Sequence, residues 1–378
     1  MEGSLRKRSR KSWELCIEIG RGSDGRRLRK FVAVKGTKAE AQQKLRELLS
    51  SLDKGTPIDN PKTTVQEFLA LWHEQYVKTN TSPRTQEGYL EKINGYIIPT
   101  LGNVRLTKLT PQHVQGLYSE MLERGLSPRT VLHAHRILRE ALGHAVKWGL
   151  LIRNVCDATD PPKPQRKPMT SLDPDQARRF LDFAQESRYG PLFFLGIYTG
   201  LRRSEMLGLR WSSIDLQSKT LPVTETLQRI KGRGLMLLPP KTDRSRRMVT
   251  LPPSAAALLS GLKVKQRDER IGLGLPWQES DLVFTHLDGR PFDPSTVSHA
   301  FADIIRKSGL PHIRLHDLRH THASLMLKQG VNPKIVSERL GHSSIAITMD
   351  MYSHVLPGLQ EAAALEFEKA LQPENVGI

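Results

Sequence analysis

Hydrophobic positions change period along the chain, and the changes mark out its elements. Trp13, Leu15, Ile17 and Ile19 alternate with charged or small residues, the period-two pattern of a half-buried strand. Ser23-Asp24-Gly25 is a turn signal, and Arg29 to Val34 reads as the returning strand. Ala41, Leu45, Leu48, Leu49 and Leu52 then recur at helical spacing before a stop at Gly55-Thr56-Pro57. Residues 1–57 are therefore predicted to form a small β-sheet with one helix.

Residues 58–160 read as a helical domain. Ser82-Pro83, Thr110-Pro111 and Ser127-Pro128 share one punctuation: a capping oxygen, then proline at the first helical position, where its missing N–H costs nothing. Val65, Phe68, Leu69, Trp72 and Tyr76 form one apolar stripe, and Leu138, Leu142, Ala145 and Trp148 another. We read these aromatics as core, not as base-stacking platforms. Residues 161–168, rich in proline, lysine and arginine, cannot pack a core and are expected to form an extended basic linker. Residues 169–378 make the largest domain, mostly helical with a small sheet. Asp173-Pro174 and Asp293-Pro294 start helices there, and Leu235 to Leu251 reads as two short strands around a polar, basic turn. No repeat of roughly 20–50 residues is visible. The expected fold class is multidomain and mainly α, with small β-sheets.

Composition narrows the class of protein. At about 150 residues per domain, 378 residues suggest two or three domains, and 38% hydrophobic content is enough for a core. Two distant cysteines, Cys16 and Cys156, exclude a disulfide framework and fit a reducing compartment. No apolar run is long enough to span a membrane. The basic N-terminus lacks the apolar stretch of a secretory signal, so a cytoplasmic location is expected. The formal charge is +18 and the pI about 10.0, which calls for an acidic partner, nucleic acid before membrane. Residues 1–35 alone hold 11 Lys/Arg against 4 Asp/Glu, a net +7, and read as a DNA-contacting module.

Neither a phosphate-binding loop of the Walker type nor a dinucleotide glycine fingerprint is present. His316 and His320 stand at i and i+4, superficially like a zinc-protease helix. Asp317 occupies the place of that motif's glutamate, however, and Arg319 on the same turn repels a cation. We expect no metal and no cofactor. What remains is a cationic constellation. Arg202 lies in Thr-Gly-Leu-Arg-Arg-Ser-Glu (199–205), at a turn before a helix. His316 and Arg319 stand one helical turn apart in Leu-His-Asp-Leu-Arg-His-Thr-His-Ala-Ser (315–324). Leu340-Gly341-His342 closes a helix begun at Asn332-Pro333, and Tyr352 follows ten residues after His342.

With those residues in that order, the chain resembles the tyrosine recombinase or phage-type integrase family over its whole length. The resemblance assigns catalysis to Arg202, Lys241, His316, Arg319, His342 and Tyr352, with Glu205 in support. Lys241 sits in the basic turn with Arg244, Arg246 and Arg247. The chemistry is coherent. Two arginines can clamp the oxygens of a phosphodiester and stabilise the charge that develops on them. A phenol of pKa about 10 is a weak nucleophile at neutral pH without a base or a strongly positive site. His316 can accept the phenolic proton, His342 can donate to the phosphate, and Lys241 can protonate the departing 5′ oxygen. Glu205 can orient a neighbouring catalytic side chain.

The resemblance implies attack by Tyr352 to give a 3′-phosphotyrosine and a free 5′-hydroxyl, without ATP or metal. It further implies double-stranded DNA attachment sites as partners, a homotetramer on two duplexes, a Holliday-junction intermediate, and accessory DNA-bending or excision factors. It divides the chain into an arm-binding domain (1–57), a core-binding domain (58–160), the linker and a catalytic domain. The last carries a C-terminal helix striped by Leu359, Ala362, Ala363, Leu365, Phe367 and Leu371. That tail either packs on its own domain or is exchanged with a neighbouring subunit; both readings stay open. His320, His322 and His354 read as structural or phosphate-adjacent. Two other functions compete, a type IB-like topoisomerase and an inactive DNA-binding regulator. The basic N-terminal module and the tail argue against the first, and the presence of all six residues argues against the second.

Overall fold

The computed structural model describes residues 3–9, 12–21, 27–53, 62–165, 169–240, 242–273, 280–352, 364–365, 367–368 and 371. The expected turn at 23–25, the stop at 55–57, Lys241, His354 and, of the C-terminal stripe, Leu359, Ala362 and Ala363 lie outside them. The chain divides into two compact units, Met1–Arg166 and Lys167–Ile378, and the division falls within the proline-rich stretch.

In the first unit, β1 (Gly3–Ser9), β2 (Ser12–Arg21) and β3 (Arg27–Lys35) form an antiparallel sheet in that order. Helix α1 (Lys38–Asp53) packs on it. Leu15 and Ile17 from the sheet and Ala41, Leu45 and Leu48 from the helix form a small buried cluster. Strand β1 was not foreseen. Its outward positions are basic, so it carries almost no apolar signal. The helical part has its own core. Helix α2 (Val65–Trp72) runs through a π-turn into α3 (Lys78–Asn80), and α4 (Pro83–Lys92) does the same into α5 (Ile98–Leu101). Helices α6 (Pro111–Glu123) and α7 (Pro128–Lys147) complete it. The Ser82, Thr110 and Ser127 oxygens accept from the backbone N–H three residues on, as expected of N-caps. Val65, Phe68, Leu69, Trp72, Leu138, Leu142 and Ala145 are buried. Trp148 departs from expectation: it ends α7 with 38% of its surface exposed, its ring edge-on to Phe68.

The second unit contains α8 (Pro174–Ala184), α9 (Gly190–Thr199), α10 (Arg203–Leu207), β4 (Thr220–Val223), β5 (Thr226–Ile230), β6 (Gly234–Leu238) and β7 (Arg247–Thr250). It continues with α11 (Pro253–Leu273), α12 (Pro294–Ser308), α13 (Asp317–Lys328), α14 (Pro333–Leu340) and α15 (Ile345–Tyr352). Asp173 and Asp293 cap α8 and α12. Phe180, Phe193 and Phe301 meet at ring distances of 5.2–5.9 Å and anchor its core. Each such ring stabilises by roughly 1.5–3 kcal/mol through burial. Helix α13 is buried from Asp317 to Ser324 and packs on α9 and α14.

The strands expected between Leu235 and Leu251 exist, but they do not form a hairpin. Strand β6 pairs with β5 and β7 with β4. Pro239 and Pro240 have no N–H to continue a ladder, and a 3-10 turn at Asp243–Ser245 turns the chain away. The basic turn thus connects two separate ladders. The mainly α class with small sheets is as expected. Among the described residues, no helix is long and apolar enough to cross a membrane.

Candidate functional site

The site assembles where three helix ends meet. Helix α9 stops at Gly200, which is left-handed at φ 67°. A Cβ there would lie 2.6 Å from His322 Cδ2 and 2.7 Å from Leu340 Cδ2, so the backbone crosses on a path only glycine fits. Two residues later Arg202 occupies the N-cap of α10. Its N–H donates to Glu205 Oε2 at 2.9 Å and its Nη1 to Oε1 at 2.6 Å. Helix α14 ends in the same way, at Gly341 with φ 67°, and His342 follows.

Arg319 joins these ends. Its guanidinium is buried, with 3% exposure. Nη1 donates to the Gly200 carbonyl at 2.9 Å and Nη2 to the Leu340 carbonyl at 2.6 Å. Those carbonyls lie two residues before Arg202 and His342, so one side chain fixes the approach to both. His316 stands at the N-cap position of α13 and shares with Arg202 a cavity of about 460 Å³, whose wall includes Arg203, His312 and Arg314. Its surface opens to solvent within that concavity. Partial desolvation there, then the Arg319 charge, hold its pKa below the ordinary value. Burial and then Arg319 and Arg202 push His342 down to about 3, so its ring is neutral at physiological pH. Its Nδ1 lies 2.8 Å from the Thr348 hydroxyl on α15. That helix ends at Tyr352.

Four of the expected residues, Arg202, His316, Arg319 and His342, therefore converge, and Tyr352 closes the helix tethered to the last of them. Lys241 lies outside the described residues. Glu205, also among the expected residues, is buried with 1% exposure. Burial alone would raise its carboxyl pKa. The hydrogen bond and charge of Arg247, and then Arg202, outweigh that and hold it low.

Beneath this set lies a layer the sequence did not reveal. Arg247 Nη2 donates to Glu205 Oε2 at 2.9 Å, its Nε to the Arg339 carbonyl at 2.6 Å and its Nη1 to the Ser245 carbonyl at 3.1 Å. Arg244 donates to the Ser343 carbonyl. The basic turn is thereby tied to Arg202 on one side and to the approach to His342 on the other. Arg339 Nε donates to His322 Nε2 at 3.1 Å, while Nη1 and Nη2 reach the Thr250 and Tyr198 carbonyls. The other ring nitrogen of His322 faces the Ile197 carbonyl at 2.7 Å. His322, brought to about 3 by burial and then by Arg339, stays neutral and can accept. Its ring joins the Ile197 carbonyl to Arg339. His320 is also buried, its ring edge-on to His316 at 5.2 Å. Among the described residues, no group of three or more His, Cys, Asp or Glu side chains is arranged to hold a metal.

Comparison with known proteins places this geometry. The phage integrase family matches residues 170–358, and its N-terminal SAM-like domain matches residues 64–122. The chain is 29% identical to the tyrosine recombinase XerC-like protein of Caldanaerobacter subterraneus subsp. tengcongensis over 370 residues, 93% of this chain and 94% of that protein. The Tn1549 transposon integrase in complex with a circular intermediate DNA superposes with a TM-score of 0.69 at 22% identity, covering 82% of this chain and 99% of that one. A lambda integrase tetramer bound to a Holliday junction does so with a TM-score of 0.58 at 18% identity, covering 89% and 92%. The chain belongs to the phage integrase family and is a site-specific DNA recombinase of the tyrosine type.

Proposed function

We propose that the chain integrates or excises a mobile element by tyrosine-mediated strand exchange, with Tyr352 as nucleophile. Arg202 and Arg319 bind the scissile phosphate, and His316 takes the phenolic proton. His342 donates to a phosphate oxygen, and Lys241 protonates the departing 5′ oxygen. The phosphotyrosine bond retains the energy of the phosphodiester, and the 5′-hydroxyl of a second strand resolves it. The observation that carries this reading is the Arg319 guanidinium, bridging the Gly200 and Leu340 carbonyls and so setting the backbone before both Arg202 and His342. Stabilising a phosphorane requires donors fixed before the charge appears.

The domain roles follow from charge. The sheet face turned away from α1 carries Arg6, Arg8, Phe31 and Lys35, all exposed, which suits residues 1–57 to arm-type DNA. Arg136, Arg139, Lys147 and Arg153 line a groove of about 870 Å³ along α7, which suits residues 58–160 to the core site. Residues 161–168 link this part to the catalytic domain, 169–378. Leu365, Phe367 and Leu371, exposed at 55%, 68% and 69%, favour a homotetramer assembled by tail exchange. Double-stranded attachment sites, accessory bending or excision factors and a cytoplasmic, nucleoid-associated location complete the proposal.

The test begins with duplexes selected from a randomised pool for binding to the full chain. Each is then nicked at a series of positions, so that the severed flank diffuses away after cleavage. Incubation without ATP and with EDTA, followed by denaturation, should leave DNA attached to the parent and none to Tyr352→Phe. Equal attachment in both proteins would assign the nucleophile elsewhere.

A further inference from the structure

The Thr348 hydroxyl is fully buried, and its described polar partner is His342 Nδ1 at 2.8 Å. A buried hydroxyl proton needs an acceptor, and a buried hydroxyl without one is costly. The hydroxyl therefore donates, and Nδ1 receives. A neutral imidazole carries one N–H only, so its hydrogen must then sit on Nε2. Burial and the surrounding arginines keep the ring neutral, so which nitrogen carries the hydrogen decides whether His342 can donate toward a phosphate at all.

We propose that Thr348 is a positioning residue: through its bond to Nδ1 it fixes His342 as the Nε2–H tautomer, the form that donates to the scissile phosphate. The proposal rests on the role of His342 given above. Thr348 lies four residues before Tyr352 on α15, about 6 Å along the axis. The contact that sets the histidine tautomer therefore also attaches the tyrosine-bearing helix to it. Donor and nucleophile are registered by one bond, and displacement of α15 releases both.

The full-length protein labelled with ¹⁵N-histidine reads the tautomer directly at neutral pH. Long-range ¹H–¹⁵N correlation distinguishes the two ring forms, and a His342→Gln sample identifies the resonance. The parent should show Nε2–H. Thr348→Val, which matches threonine in shape and removes the hydroxyl, should shift His342 toward a tautomer mixture. It should also slow covalent attachment to the nicked duplex at least tenfold, with DNA affinity unchanged. Thr348→Ser should restore tautomer and rate together. Nδ1–H in the parent, or an unaltered Nε2–H in Thr348→Val, overturns the proposal. If His342→Gln attaches DNA at the parent rate, the role given to His342 fails and the positioning role with it, while the tautomer spectrum still reports the hydrogen bond.

Discussion

Replacing Glu205 with glutamine tests the electrostatic frame of the site most directly. The side chains are nearly identical in shape, so no cavity opens and the change is one of charge and of donor pattern. The Glu205 carboxylate, with 2% side-chain exposure, accepts from the Arg202 N–H and Nη1 and from Arg247 Nη1 and Nη2, at 2.6–3.3 Å. Each carboxylate oxygen accepts from both Arg202 and Arg247, so a glutamine, with one acceptor oxygen, turns its NH₂ against a donor of each whichever way it faces. Arg247 is itself buried, with 7% side-chain exposure, and removing one member of a buried ion pair costs about 3–5 kcal/mol. The Arg202 contribution is smaller, because a third of that side chain meets solvent. We expect a loss of about 3–4 kcal/mol at neutral pH. Urea unfolding read by hydrogen exchange of peptides from α10 and β7 measures it within the second unit alone.

The pH dependence fixes the sign. The folded carboxyl titrates below its reference value of 4.5. Its contribution is therefore complete above that value and is lost as the pH falls through the folded pKa. The gap between parent and Glu205→Gln should be widest near neutrality and should narrow in acid. A gap below about 1 kcal/mol, the worth of a surface pair, or one that widens in acid, would refute the reasoning.

Three further outcomes are expected. Gly200→Ala places a Cβ at 2.6 Å from His322 and at positive φ, costing roughly 1–3 kcal/mol; because it displaces the carbonyl that holds Arg319, DNA attachment should fall further than stability, as thermal melts beside the nicked-duplex assay will show. Phe193→Ala empties a fully buried site in the second unit and should cost about 3–5 kcal/mol, with hydrogen exchange in α2 and α7 unchanged. Affinity for duplex DNA should fall at least tenfold between roughly 50 and 200 mM salt, as phosphate contacts release counterions; a flat profile in a binding titration would contradict a charge-driven interface.

The legible features of this chain are the local ones. Ser82, Thr110, Ser127, Asp173 and Asp293 start helices because a capping oxygen and a following proline act within one turn, whatever surrounds them. Arg202, His316, Arg319, His342 and Tyr352 could be named because type and order survive in one dimension. Strand β1 escaped because a strand with a basic outer face and little on its inner one lacks alternating apolar contrast. The partners of β6 and β7 escaped because a two-residue period marks a strand without saying what it pairs with. Arg247 read as one more cation of a crowded turn. Its meaning depends on Glu205, 42 residues away, and on the Arg339 carbonyl, 92 away, and no local pattern encodes either. Thr348 gave no signal at all, since a threonine in a helix is ordinary until the histidine beside it is known.

The bridge that Arg319 makes between the Gly200 and Leu340 carbonyls bears on anyone who would move this chemistry to another scaffold. Two of its contacts are to main chain, at the points where two helices stop, and both stops require left-handed glycines. A transplant of side chains onto a host helix would carry the functional groups and leave the frame behind. The smallest transferable piece is a pair of helix endings together with the buried cation between them, and single substitutions within it will not combine as independent losses.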